Sequence, residues 1–109
     1  MVRERKTPTL IASLSIFPLG VGTSVGDFVS KAYSALKQVN GIAIEPTAMS
    51  TIIEANSLDK IWETVRRTHQ AMLDAGAQRI YMVLTLDDRR DKPRTAKDKV
   101  TKMTGAAAA

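Results

Sequence analysis

The sequence predicts an α+β domain of β-α-β-β-α-β order, with a further helix at its C-terminal end. Three observations carry this expectation. Two runs of period-two alternation lie toward the ends of the chain, at residues 9–17 (TLIASLSIF) and 78–88 (QRIYMVLTLDD). Two segments of helical periodicity lie between them, each with one apolar stripe of the kind that packs on a sheet. A pair of short β-favouring runs separates the two helices.

In the first strand Leu10, Ala12, Leu14 and Ile16 share one face, and Ile11, Ser13, Ser15 and Phe17 share the other. The second face is semi-polar, which fits a sheet covered on one side and open on the other. Pro18 ends the run because proline donates nothing to a ladder. Ser24 is placed as an N-cap with Asp27 three residues later, and Val25, Phe28, Val29, Ala32, Leu36 and Val39 recur at helical spacing. Asn40-Gly41 closes this helix of about four turns.

Residues 42–45 and 50–55 read as a hairpin or bulged strand pair around a Pro-Thr-Ala-Met break, with Pro46 marking an edge. Asn56-Ser57 caps a second helix whose expected apolar face is Leu58, Ile61, Trp62, Val65, His69, Met72 and Leu73, stopped by Gly76. In the last strand Ile80, Met82, Leu84 and Leu86 alternate against Tyr81, Val83, Thr85 and Asp87. A polar helix follows Pro93, over residues 95–103. This order is the ferredoxin-like split β-α-β arrangement: an antiparallel four-stranded sheet with two helices on one face. The expected organisation is a basic tail over residues 1–8, one domain over 9–103 and a frayed end over 104–109.

Composition narrows the function classes. The chain has 109 residues, 44% hydrophobic and 25% charged, the proportions of one globular domain. No apolar run is long enough to span a bilayer, and the charged N-terminus does not resemble a secretory signal, so a cytoplasmic location is expected. Cysteine is absent, which removes disulfide and thiolate chemistry. One histidine without cysteine offers no zinc constellation. The net charge of +5 sits mainly in the first six residues and between Arg89 and Lys102, where a solvated end is the ordinary explanation. Sheet-mode RNA binding needs exposed aromatics on the central strands, and only five aromatic residues exist, so nucleic acid is not an expected partner.

The candidate site residues are few. Gly20, Gly22 and Gly26 approach a dinucleotide fingerprint without matching it, although amides at the Ser24 helix start could hold an anion. His69 is expected as a satisfied histidine at the edge of the core. Glu45 and Glu54 stand within apolar β runs, where a carboxylate is costly unless solvated or paired. The mixed run Asp87 to Asp91 reads as a salt-bridged strand end.

SIFPLGVGTSVGDFV, STIIEA and AGAQRIYMVLTLDDRRDKP, followed by KDKV, resemble the small YkoF-related thiamine-binding proteins. The resemblance runs from about Thr9 to Met103. The family's strand-one motif falls on Ser15, Pro18, Gly20, Gly22, Ser24 and Val25. Its hairpin motif falls on Thr51, Ile53 and Glu54, with Ala55 in place of the usual glycine. Its later motifs fall on Gly76, Ala77 and Arg79, and on Asp87, Arg89, Asp91 and Lys92.

The resemblance implies a ferredoxin-like subunit whose sheets associate into dimers and whose dimers pair into tetramers. It also implies binding of thiamine or its hydroxymethylpyrimidine moiety without a reaction. The expected ligand-binding residues are Ser15, Phe17, Gly20, Gly22, Ser24, Thr51 and Glu54. Glu54 carries the charge role, Ser15 and Thr51 form hydrogen bonds, and Phe17 packs on the pyrimidine. No metal or resident cofactor is expected. The alternative is an ACT-like regulatory or assembly subunit that binds a protein partner.

Overall fold

The computed structural model describes residues 10–105. The basic tail, Thr9 and the last four alanines lie outside the described residues. The elements in chain order are β1 (Leu10–Pro18), α1 (Gly26–Leu36), β2 (Ala43–Pro46), β3 (Thr51–Ala55), α2 (Leu58–Asp74), β4 (Ile80–Asp88) and α3 (Ala96–Thr104). The strands form one antiparallel sheet in the order β2-β3-β1-β4. The fold is the expected α+β, ferredoxin-like one.

The alternation in β1 acts as its sequence requires. Leu10, Ala12, Leu14, Ile16 and Pro18 are buried, and Ile11, Ser13, Ser15 and Phe17 are half-buried on the opposite face. The buried set joins Ile53 and Ala55 of β3, Leu36 of α1 and Ile61 of α2 in the main core. A second cluster joins Ile16 to Ala32, Met72 and Ala77. Pro46 lies in β2, an edge strand, where its missing donor faces no neighbour.

Two helix expectations are corrected. α1 starts at Gly26 with Val25 as N-cap and no side-chain cap bond, so Ser24 caps nothing and is exposed. The helix has 11 residues, and Val39 is buried just beyond it. In α2 the buried residues are Ile61, Thr64, Thr68 and Met72, whereas Trp62 is 48% exposed and His69 is exposed. The helix is turned so that two threonines face inward. Their hydroxyls donate to the carbonyls of Lys60 and Thr64, both at 2.9 Å, which removes the cost of burying them.

Ser57 caps α2 as expected, accepting from the Lys60 amide at 3.3 Å. α3 opens with a capping box, Thr95 and Asp98 exchanging side-chain and backbone hydrogen bonds, and Gly105 closes it at φ +73°. It thus continues through Thr104, one residue past the expected domain end.

Candidate functional site

A notch in the sheet forms a concavity at the end of β1. The β1–β3 pairing stops at Leu14↔Thr51, while β1 remains paired to β4 as far as Pro18↔Ile80. Beyond Leu14, then, the side of β1 toward β3 has no strand partner. The cleft at this unpaired edge measures ≈ 580 Å³ and is bounded by the end of β1, by α1 and by the β2–β3 turn.

Each wall has a local cause. Ser15 and Phe17 come from the open face of β1. Val25, Val29 and Tyr33 come from α1 and its N-cap. The third wall is the turn Pro46–Thr51, held by Thr47. The Thr47 amide donates to the Ser50 carbonyl at 2.8 Å and the Thr47 hydroxyl donates to the same oxygen at 2.7 Å. The Ser50 amide donates back to Thr47 Oγ1 at 3.1 Å. Ser13 Oγ donates to Ser50 Oγ at 2.8 Å, fastening the turn to β1. Phe17 packs against Tyr81 of β4 with ring centroids 5.4 Å apart.

Ser15, Phe17 and Thr51 therefore line one cleft. The remaining four candidates do not line it. Gly20, Gly22 and Ser24 are exposed in the loop between β1 and α1, where the glycines at φ +86° and +91° take a backbone conformation other residues adopt only with strain. Glu54 lies on the open face of β3, opposite Ile11, whereas Thr51 pairs with Leu14 on the helix-covered face. Its carboxylate accepts a hydrogen bond from the backbone amide of Ala96 in α3.

Sequence reasoning missed Tyr33, Val29 and Met49 as cleft residues. Tyr33 falls one position beside the recognised α1 stripe, and Met49 lies in the hairpin break, 85% exposed. The helical spacing of Val25, Val29 and Tyr33 was the available signal.

Electrostatics gives the cleft a neutral character, since no carboxylate or cation is among its lining residues. The charges gather instead after β4. Arg89 forks onto Asp91 (2.6 and 3.0 Å) and Arg90 onto Asp88 (both 2.7 Å), the salt-bridged strand end expected from the sequence. The Arg89 hydrogen bonds hold the Asp91 carboxyl at about 2. Among the described residues no three His, Cys, Asp or Glu side chains gather as a metal site. No helix among them is long and apolar enough to cross a membrane.

The chain is 42% identical over 92 residues to the UPF0045 protein of Methanothermobacter thermautotrophicus, covering 84% of this chain and 92% of that one. A crystal structure of a hypothetical protein from Methanocaldococcus jannaschii superposes with a TM-score of 0.77 at 33% identity, covering 88% of this chain and 95% of that chain. A "putative thiamine biosynthesis/salvage protein" of Thermotoga maritima shares the fold, with a TM-score of 0.71 at 18% identity over 86% of this chain and 97% of that chain. The family model described as thiamine-binding protein matches residues 12–104, a span that runs from the third residue of β1 to the end of α3. With this match and the archaeal relatives in agreement, the chain belongs to the thiamine-binding protein family.

Proposed function

We propose that this protein binds thiamine through its hydroxymethylpyrimidine moiety, in the notch between β1, α1 and the β2–β3 turn, without catalysing a reaction. The observation that carries the reading is the company kept by Ser15, Phe17 and Thr51 in one cleft with Tyr33 and Ser50. Aromatic rings offer faces for a flat heterocycle, and hydroxyls both donate to and accept from ring nitrogens and an exocyclic amine. The unpaired edge of β1 adds main-chain donors and acceptors that otherwise lack a strand partner. Because no carboxylate lines the cleft, recognition rests on stacking and neutral hydrogen bonds. The pyrimidine half fits that chemistry better than the cationic thiazolium. In this reading Glu54 holds α3, and Gly20, Gly22 and Ser24 shape the loop that borders the cleft.

The assembly we propose is a homotetramer built as a dimer of dimers. β4 supports it: this nine-residue strand is an edge of the sheet and leaves Tyr81, Val83 and Leu86 exposed. The exposed Trp62 and Leu73 of α2 favour a second reading, a regulatory or assembly subunit of ACT-like kind with a protein partner. Calorimetric titration with thiamine, thiamine diphosphate and hydroxymethylpyrimidine, with the oligomeric mass measured in the same buffer, separates the two. Saturable binding of the pyrimidine compounds by a tetramer supports the first. No heat from a well-folded tetramer contradicts it and favours the second.

A further inference from the structure

The sheet face turned away from α1 and α2 carries a second cavity. α3 lies against this face, tied by the Glu54 carboxylate to the Ala96 amide and by Lys99 Nζ to Asp87 Oδ2 at 2.6 Å. The cavity associated with helix and sheet measures ≈ 1000 Å³, with Ile11 and Ile52 of the sheet and Val100 and Met103 of α3 as its apolar lining. Its charge is one-sided. Arg89, Arg94, Lys97, Lys99 and Lys102 line it against one carboxylate, Glu45.

Two of these cations are already engaged, Arg89 by Asp91 and Lys99 by Asp87. Arg94, Lys97 and Lys102 form no ion pair among the described residues. Arg94 Nε is in addition buried without a hydrogen-bond acceptor. The Asp98 carboxylate, which accepts from the Thr95 amide at 3.0 Å, makes no hydrogen bond to this Nε. A guanidinium with an unspent N–H, beside two uncommitted ammonium groups and an apolar floor, is an arrangement suited to an anion.

We propose that this cavity binds a small organic phosphate, its phosphate held by Arg94, Lys97 and Lys102 and its apolar or aromatic body lying on Ile11, Ile52 and Val100. Guanidinium and ammonium groups together suit a phosphate, which offers several acceptor oxygens to a fork and to point charges. A nucleic-acid strand does not fit as well. No aromatic ring lines the cavity to stack a base. This site is separate from the notch beside β1, with which it shares only Thr47.

The test is a titration of the full chain with phenyl phosphate, followed by backbone amide shifts, with inorganic phosphate and phenol as parallel arms. Phenyl phosphate is expected to saturate with shifts in α3 and at Ile11 and Ile52, phosphate to bind more weakly, and phenol not to bind. The double variant Lys97→Gln, Lys102→Gln changes exposed side chains only, so its fold is retained, and it is expected to weaken binding about tenfold or more. The control Lys31→Gln, Lys37→Gln, at and just beyond the exposed side of α1, is expected to leave binding unchanged. Failure of phenyl phosphate to saturate, equal weakening in the control, or shifts confined to the notch would each overturn the proposal.

Discussion

The Glu54 carboxylate, on the open face of β3, accepts a hydrogen bond from the backbone amide of Ala96, the first residue of α3. The four leading amides of a helix have no partner within it, so an external carboxylate there both satisfies a donor and complements the helix dipole. This contact spans 42 residues of chain and helps fix where α3 meets the sheet.

Removing it frees the helix. Glu54→Ala is expected to cost about 1.5–3 kcal/mol in the docking of α3, the range for hydrogen bonds to charged groups. Glu54→Gln keeps an acceptor and loses the charge, so it falls between. Amide exchange of α3 reads the effect directly. Unchanged protection of Lys99, Val100 and Thr101 in Glu54→Ala would show that the contact does not hold the helix.

Helix α2 supplies a second prediction. Met72→Ala removes a side chain with no exposure in the second core cluster and is expected to destabilise the fold by about 2–5 kcal/mol. Trp62→Ala, at a 48% exposed position, is expected to cost under about 1 kcal/mol in the subunit itself. Urea unfolding of both variants under conditions that keep the protein monomeric checks the orientation of the helix. A reversed order of cost would mean that the helix is turned the other way.

The start of α3 is sensitive to acid. The Asp98 carboxylate accepts from the Thr95 amide at 3.0 Å, and the Thr95 hydroxyl accepts from the Asp98 amide at 3.0 Å. The Thr95 backbone amide foremost, then the Thr95 side chain, with a smaller contribution from Arg94, hold the Asp98 carboxyl below its ordinary 3.8. A depressed folded-state value means that the stabilisation is complete above the ordinary value and is lost as pH falls through the lower one. Protection of α3 amides is therefore expected to decline below roughly pH 4, and Asp98→Asn to flatten that profile. Thr95→Ala is expected to loosen the helix by about 1 kcal/mol at neutral pH. Equal pH profiles for Asp98→Asn and the parent would remove the capping box from the account.

Much of this architecture was readable because the relevant forces are local. β1 alternates strictly, so its two faces follow from spacing alone, and Pro46 announces an edge because proline cannot join an interior ladder. Ser57 and the Thr95–Asp98 pair declare two helix starts in their side chains. The turn of α2 was hidden, since periodicity scores Thr64 and Thr68 as polar while their own helix carbonyls satisfy their hydroxyls. The notch was hidden too. It exists because β3 pairs no further than Leu14↔Thr51, a register set by the Thr47 turn rather than by composition. The pairing of Glu54 with Ala96 depends on where α3 lands, which no pattern in β3 records.

The neutral notch is the proposed seat of the ligand. The direct test is calorimetric titration of hydroxymethylpyrimidine into the parent protein, Phe17→Ala and Glu54→Gln, side by side. Loss of an aromatic packing face is expected to weaken binding about tenfold, whereas Glu54→Gln, outside the notch and engaged with the Ala96 amide of α3, is expected to bind as the parent does. Binding abolished by Glu54→Gln and untouched by Phe17→Ala would contradict the claim and move the ligand to the open face beneath α3.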